Sequence, residues 1–341
     1  MIRRILVFSF TFIGDATLST AVISPLRQRF PDAEIVFLVG PRAFELLSSD
    51  GQIDRVMLYD NHGNHAGLRG KLRLVQALRR EKFDLVVDLR DSFWSRWVGA
   101  KRWGIRLRGK AIHAVTRYLD VLARHGLNPA GAEPRLQFTP QEIQQQKRFM
   151  IEHELEQTRP LIGIHPGGNW SYKLWQPANF ARVADILHEK LNAQILLFAG
   201  PDEQKLLAHV ASLTHVPTIV VSEKRLRAVA ALIAACDLYI GNDTGPMHIA
   251  AAVGTPVVAI FGSTSYHRSG PYGKSHTVVQ SGLNLGCNPC HPGRNPGGCK
   301  AGTCAVVEAV TIAQVLTAAE VLLRARGPHV ELEKAILGEK T

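Results

Sequence analysis

Residues 232–263, LIAACDLYIGNDTGPMHIAAAVGTPVVAIFGS, decide the fold. An apolar helical stretch leads into DLYIG, a run short enough to be a buried strand. Asn242, Asp243, Thr244 and Gly245 turn the chain, and Pro246 sits where the first turn of a helix tolerates proline. MHIAAAV continues as a helix of small residues, Gly254 stops it, and PVVAIFG is the next buried strand. A strand, a glycine-containing turn and a helix N-terminus leave backbone N–H groups free beside a positive dipole end, which suits a phosphate. Asp243 at the turn can accept sugar hydroxyls, and His248 lies one turn into the helix at the same mouth. The same pattern also fits an ordinary crossover in which Asp243 caps the helix.

The rest of the chain repeats that alternation. RILVFSF (4–10), EIVFLV (34–39), RVMLY (55–59) and DLVVDL (84–89) read as short buried strands, with helical patterns at 42–49 and 68–80 between them. Further helical patterns fall near 112–126 and 140–155, and E-Q-T-R-P at 156–160 reads as a linker. A second series follows: LIGIH (161–165), QILLFAG (194–200), TIVV (218–221), DLYIG and PVVAIFG, with helices near 177–191, 202–212 and 225–235. VVEAVTIAQVLTAAEVLLRAR reads as one closing helix. Strands alternating with helices give an α/β chain of two doubly wound parallel sheets, one over 1–155 and one over 161–327. Two such domains facing across a cleft would turn their carboxyl strand edges, where ligands bind, toward it.

Length and composition agree. A chain of 341 residues accommodates two domains with cores of their own, and 46% apolar with 20% charged residues is globular. No uncharged apolar run reaches membrane-spanning length. MIRRILVFSFTFIGDATLS lacks a signal-peptide cleavage pattern and reads as a first strand and its turn, so the protein is expected to be cytoplasmic. The net charge of +11 is concentrated: from Arg69 to Arg124, fifteen Lys/Arg stand against five acids. Such a segment attracts anionic partners. It carries no recognition motif or aromatic stacking pattern, so nucleic acid is not the expected partner.

Three loops of the second half carry candidate chemistry. In HPGGNWSYKLWQPANF (165–180), Gly167 and Gly168 permit close backbone approach and Lys173 supplies a movable cation. In FAGPDEQ (198–204), Glu203 can bond a ribose diol, and the opening stretch gives Asp243, Thr244, Gly245 and His248. Together they describe a nucleotide-diphosphate site without G-x-x-x-x-G-K-[ST]. The absence of G-x-G-x-x-G disfavours a dehydrogenase. In the first half Asp15 follows Gly14 in the turn after the first strand, as a cleft-facing carboxylate or an N-cap for a helix starting near Ala16. Cys287, Cys290, Cys299 and Cys304 are enough thiols for a structural zinc, although the spacing also suits plain reduced cysteines; Cys236 reads as core.

FIGDATLSTAVISPLRQRFPDAEI, HPGGNWSYKLWQPANFARV, and IGNDTGPMHIAAAVGTPVVAIFGST with GPYG after it carry a resemblance. The chain resembles the ADP-heptose:lipopolysaccharide heptosyltransferases, glycosyltransferase family nine, over nearly its full length. The resemblance implies a GT-B fold and inverting, metal-independent transfer of heptose from ADP-heptose to the inner core of lipopolysaccharide at the inner face of the inner membrane. It implies Asp15 as the base, Lys173 on the phosphates, Glu203 on the ribose, and Asp243, Thr244, Gly245 and His248 in the sugar-phosphate loop. The cysteine loop departs from the family's general pattern and would bear on acceptor choice. Two other readings remain beside it, a nucleotide-sugar epimerase of the same fold and a nucleotide-sugar-binding protein without turnover.

Overall fold

The computed structural model describes residues 2–105, 112–286, 290 and 303–325. The chain divides into two compact units, Met1–Pro140 and Gln141–Thr341. In the first, strands β1 (Arg4–Phe8), β2 (Glu34–Val39), β3 (Arg55–Leu58), β4 (Leu85–Asp88) and β5 (Lys101–Gly104) form one sheet in the order β3-β2-β1-β4-β5. In the second, β6 (Leu161–His165), β7 (Gln194–Leu197), β8 (Thr218–Val220), β9 (Leu238–Asn242), β10 (Val257–Phe261) and β11 (His276–Gln280) run in the order β11-β10-β9-β6-β7-β8. Every pairing is parallel.

Parallel strands covered on both faces read as continuous apolar runs rather than alternating ones. That is why β1, β6, β9 and β10 were legible: the side chains of Ile5–Phe8, Leu238–Ile240 and Val257–Phe261 are all buried. The helices close by their own chemistry. Pro177 opens helix Pro177–Leu191, and Asn192, at φ 52°, ends it in the left-handed conformation. Its inner face joins Trp175, Phe180, Val183 and Leu187 to the strands, with Trp175 and Phe180 packed edge-on at 5.1 Å.

Four expectations are corrected. The units part at Pro140/Gln141, not at 156–160. Helix Pro140–Glu152 belongs to the second unit, where Glu142 takes both arms of the buried Arg227 at 2.6 Å. The supposed linker is a fixed lead-in to β6: Glu156 N–H donates to Gln194 Oε1 at 2.8 Å, and Gln194 Nε2 donates back to Glu156 O at 2.8 Å. Strands β5 and β11 lie at sheet edges in mixed, partly exposed sequence (KRWG, HTVVQ), and the apolar-run signal misses them. The closing helix is two, Ala305–Glu308 and Ile312–Ala325. Thr311 Oγ1 accepts from Gln314 N–H at 3.2 Å while Gln314 Oε1 accepts from Thr311 N–H at 2.9 Å, a capping box that restarts the helix.

Candidate active site

In a doubly wound sheet, ligands bind outside the carboxyl ends of the strands where the order reverses. In the second unit that point lies between β6 and β9, whose last residues are His165 and Asn242. The loop after β6 carries Lys173, and the loop after β9 carries Asp243 and Thr244. The two loops are sewn together.

Asn242 does the sewing. Its side chain is fully buried; Oδ1 accepts from Trp175 N–H at 3.1 Å, and Nδ2 donates to the carbonyls of Pro166 at 2.8 Å and Gly167 at 3.2 Å. Trp175 is pinned at its other end by Nε1–H donating to Val310 O at 2.9 Å. Lys173, two residues before this anchor, is therefore delivered to the β9 loop. There Nζ lies 2.6 Å from Asp243 Oδ2 and 3.3 Å from Asp243 O. Thr264 Oγ1–H donates to the same Asp243 oxygen at 2.6 Å.

Asp243 is thus not a helix cap. Helix Gly245–Ala252 has Thr244 as its N-cap and receives no side-chain capping bond. Pro246 contributes no N–H, so Gly245 and Met247 present the backbone donors of the first turn beside the positive dipole end. His248 is buried in that turn. Lys173, Asp243, Thr244, Gly245 and His248 are therefore brought together, as a cation, a carboxylate and a row of backbone donors.

Glu203 joins this group from behind. Its Oε2 accepts from Gly200 N–H at 2.6 Å and faces His165 Nε2 at 3.1 Å. A Cβ at Gly167 would run into this carboxylate, so the first glycine of the pair makes room for Glu203. A Cβ at Gly168 would meet Leu174 and Thr244 at 2.9 Å. The expectation that the pair leaves space for a ligand is corrected to that extent. His165 escaped the sequence reading as a functional residue, since its partner is 38 positions away and the contact depends on β6 and β7 lying side by side. His165 Nδ1 and Ser263 Oγ are both enclosed without a hydrogen-bond partner, leaving polar capacity at the carboxyl ends of β6 and β10.

Burial pushes the Glu203 carboxyl upward. The hydrogen bond and charge of His165, with the N–H groups of Gly200 and Gly168, outweigh it and bring its pKa from 4.5 to about 2. A folded-state value below the unfolded one contributes stability above pH 4.5 that is lost as the pH falls toward about 2. Glu203→Gln should flatten the stability-versus-pH curve in that window. Denaturant titrations at pH 5, 4 and 3 that run parallel for variant and wild type would refute this account of the pair.

Asp15 lies in the first unit, at the carboxyl end of β1 beside the point where that sheet's order reverses between β1 and β4. It is the third residue of helix Ile13–Ser19, half-buried in the first turn. Phe12 occupies the N-cap position, so the reading of Asp15 as N-cap is corrected. Cys287 and Cys299 lie outside the described residues; Cys236 and Cys304 are buried and Cys290 is partly exposed. Among the described residues no cluster of His, Cys, Asp or Glu is placed to hold a metal ion, and no helix is long and apolar enough to cross a membrane.

Comparison with known proteins adds independent findings. Lipopolysaccharide heptosyltransferase 3 of Escherichia coli is 27% identical over 75% of this chain and 82% of its own length. The lipopolysaccharide core heptosyltransferase OpsX of Haemophilus influenzae is 24% identical over 81% of this chain and 84% of its own. Among solved structures, a family 9 glycosyl transferase from Veillonella parvula superposes with a TM-score of 0.82 at 25% identity, covering 95% of this chain and 98% of that one. The E. coli ADP-heptose heptosyltransferase II superposes at 0.74 with 21% identity over 95% and 99%, and shares the two-sheet GT-B fold. Glycosyltransferase family 9 (heptosyltransferase) matches residues 100–300, a span that takes in the clasped loops, the uncapped helix and the Glu203–His165 pair. With more than half its length inside that match, the chain belongs to glycosyltransferase family 9, the heptosyltransferases.

Proposed function

We propose that this enzyme transfers a heptose from ADP-heptose to the inner core of lipopolysaccharide, with inversion at the anomeric carbon and without a metal ion, at the cytoplasmic face of the inner membrane. The observation that carries the donor half is Lys173 held beside an uncapped helix N-terminus at the switch point of the second sheet. A departing diphosphate needs positive charge. Lys173 and the backbone donors of Gly245 and Met247 supply it at fixed positions, so the reading calls for no metal ion. Glu203, with one face held by His165 and Gly200, is the acceptor for the ribose hydroxyls.

In the reaction the acceptor hydroxyl oxygen bonds to the anomeric carbon, and its proton passes to the Asp15 carboxylate. The bond from that carbon to the β-phosphate oxygen breaks, and ADP leaves with the electron pair. Attack opposite the leaving group inverts the centre. The anionic inner core suits the basic segment of the first unit. The relatives' names point the same way, as heptosyltransferases of lipopolysaccharide.

The test is product analysis. The purified protein is incubated with ADP-heptose, with ADP- and UDP-hexoses, and with truncated lipopolysaccharides. Mass spectrometry should find one heptose added to an inner-core acceptor, with chelator leaving the rate unchanged and the new linkage of opposite anomeric configuration. Transfer from a UDP-hexose alone, retention of configuration, or loss of activity with chelator would each overturn the corresponding part.

A further inference from the structure

The first unit carries an apolar surface that its core does not use. Helix Gly67–Arg80 buries Gly70, Leu74, Val75 and Leu78. Leu74 and Leu78 pack with Val98 and Val86 in the core cluster. Leu68 and Leu72, however, are 66% and 54% exposed. They stand at i and i+4 on one helix stripe that continues through Val75 to Arg79. The Arg79 Nε lies 3.8 Å from where a Cβ at Gly99 would sit, so the C-terminal end of this helix lies beside the chain just after the turn Phe93–Trp97. That turn, Phe93–Trp97, holds Phe93 57% and Trp97 55% exposed, with their rings 6.1 Å apart. Two leucines and two aromatics thus crown adjacent elements while Val98, between them, goes inward.

The surrounding charge is mainly positive, with Asp91 paired to Arg96 at 3.6 Å. GLRGKLRLVQALRR contains five cations and no acid, and FWSRW adds Arg96, 49% exposed at its side chain. This is an exposed apolar and aromatic surface with a mainly cationic margin. It matches a bilayer interface: aromatic side chains settle at headgroup depth, and Lys/Arg gain from anionic lipid.

We infer that Leu68, Leu72, Phe93 and Trp97, flanked by Arg69 and Arg96, form the surface by which the first unit docks on an anionic lipid bilayer. The inference rests on the reading of an acceptor presented at a membrane and names the side chains that reach it. Because these side chains are exposed, truncating them leaves the fold and the donor site unaltered.

The test uses the full-length protein and vesicles of phosphatidylcholine with or without 30% phosphatidylglycerol, read by co-sedimentation. Wild type should bind the anionic vesicles at least about tenfold more tightly than the neutral ones, and added salt should weaken that binding. The double variant Phe93→Ala/Trp97→Ala should lose at least about tenfold in vesicle affinity at every salt concentration. Arg69→Glu/Arg96→Glu should abolish the anionic preference. Wild-type protein left in the supernatant with anionic vesicles, or a double variant that sediments like wild type, overturns the proposal. So does light scattering that finds wild type dimeric and the aromatic variant monomeric with unchanged vesicle binding, since the patch is then an interface between copies. Turnover on a delipidated core oligosaccharide separates this from the functional reading. Its persistence in the variants with lost vesicle binding confines the change to docking, whereas its absence in wild type sinks the transferase reading.

Discussion

Asp15→Asn is expected to lower kcat by about 10²–10⁴-fold while ADP affinity and Tm stay close to wild type. A hydroxyl is a weak nucleophile at neutral pH, and its proton must leave as the new bond forms. A carboxylate within hydrogen-bond reach accepts it; an amide of the same shape cannot. The substitution is a clean one here. Asp15 is the third residue of its helix, behind Phe12 at the N-cap, so the capping position is left untouched. The nucleotide loops belong to the other compact unit and should bind ADP as before. Single-turnover rates and ADP calorimetry on the Asn variant decide it. Near wild-type turnover would place the base elsewhere and leave Asp15 as a first-turn acid of the kind helices favour.

Asn242→Ala should have the second-largest effect, on stability and donor affinity together. Truncation leaves Trp175 N–H and the carbonyls of Pro166 and Gly167 without the partner they share inside the fold. Each buried group so stranded costs about 1–3 kcal/mol. For a unit of this size that is about 2–4 °C in Tm per kcal/mol. The loss also frees the loop that delivers Lys173 to Asp243, so ADP affinity should fall even though Asn242 is itself buried beneath the loops. Thermal melts with and without ADP read both effects. An unchanged melting curve, or destabilisation with full ADP affinity, would show that Trp175 and its bond to Val310 hold the loop unaided.

Much of this was legible in the sequence, for definite reasons. Strands buried on both faces announce themselves as apolar runs, and β1, β6, β9 and β10 did so. The turn N-D-T-G-P marked the helix start because proline and glycine have few other uses there. Edge strands such as Lys101–Gly104 were illegible because one side of each meets solvent and no apolar run is needed. The restart at Thr311 was legible and overlooked: T-x-x-Q ahead of an apolar helix is a capping box. The unit boundary failed because proline near a strand start, as at Pro160, resembles a linker whether or not Gln194 happens to bind the preceding backbone.

The site presents a sharper division. Lys173, Glu203 and Asp243 could be nominated from residue type and loop position. Their pairings could not, because Lys173–Asp243 and His165–Glu203 join residues 70 and 38 positions apart through the order of the strands. Asn242 was read only as part of a turn. A buried side-chain amide bonded to three backbone groups of another loop leaves no local trace in the chain.

The strand order of the second unit also bears on how the enzyme comes to be active during synthesis and refolding. During synthesis β7, the sequence neighbour of β6, is made before β9, which follows only after β8 and the intervening helices. Closing so long a loop is slow relative to local pairing, so the β6–β9 junction should be among the later events. The clasp, the Lys173–Asp243 pair and the uncapped helix all straddle that junction. A partly folded chain would then have no grip on a nucleotide, and ADP added during refolding would favour the finished state without seizing an earlier one.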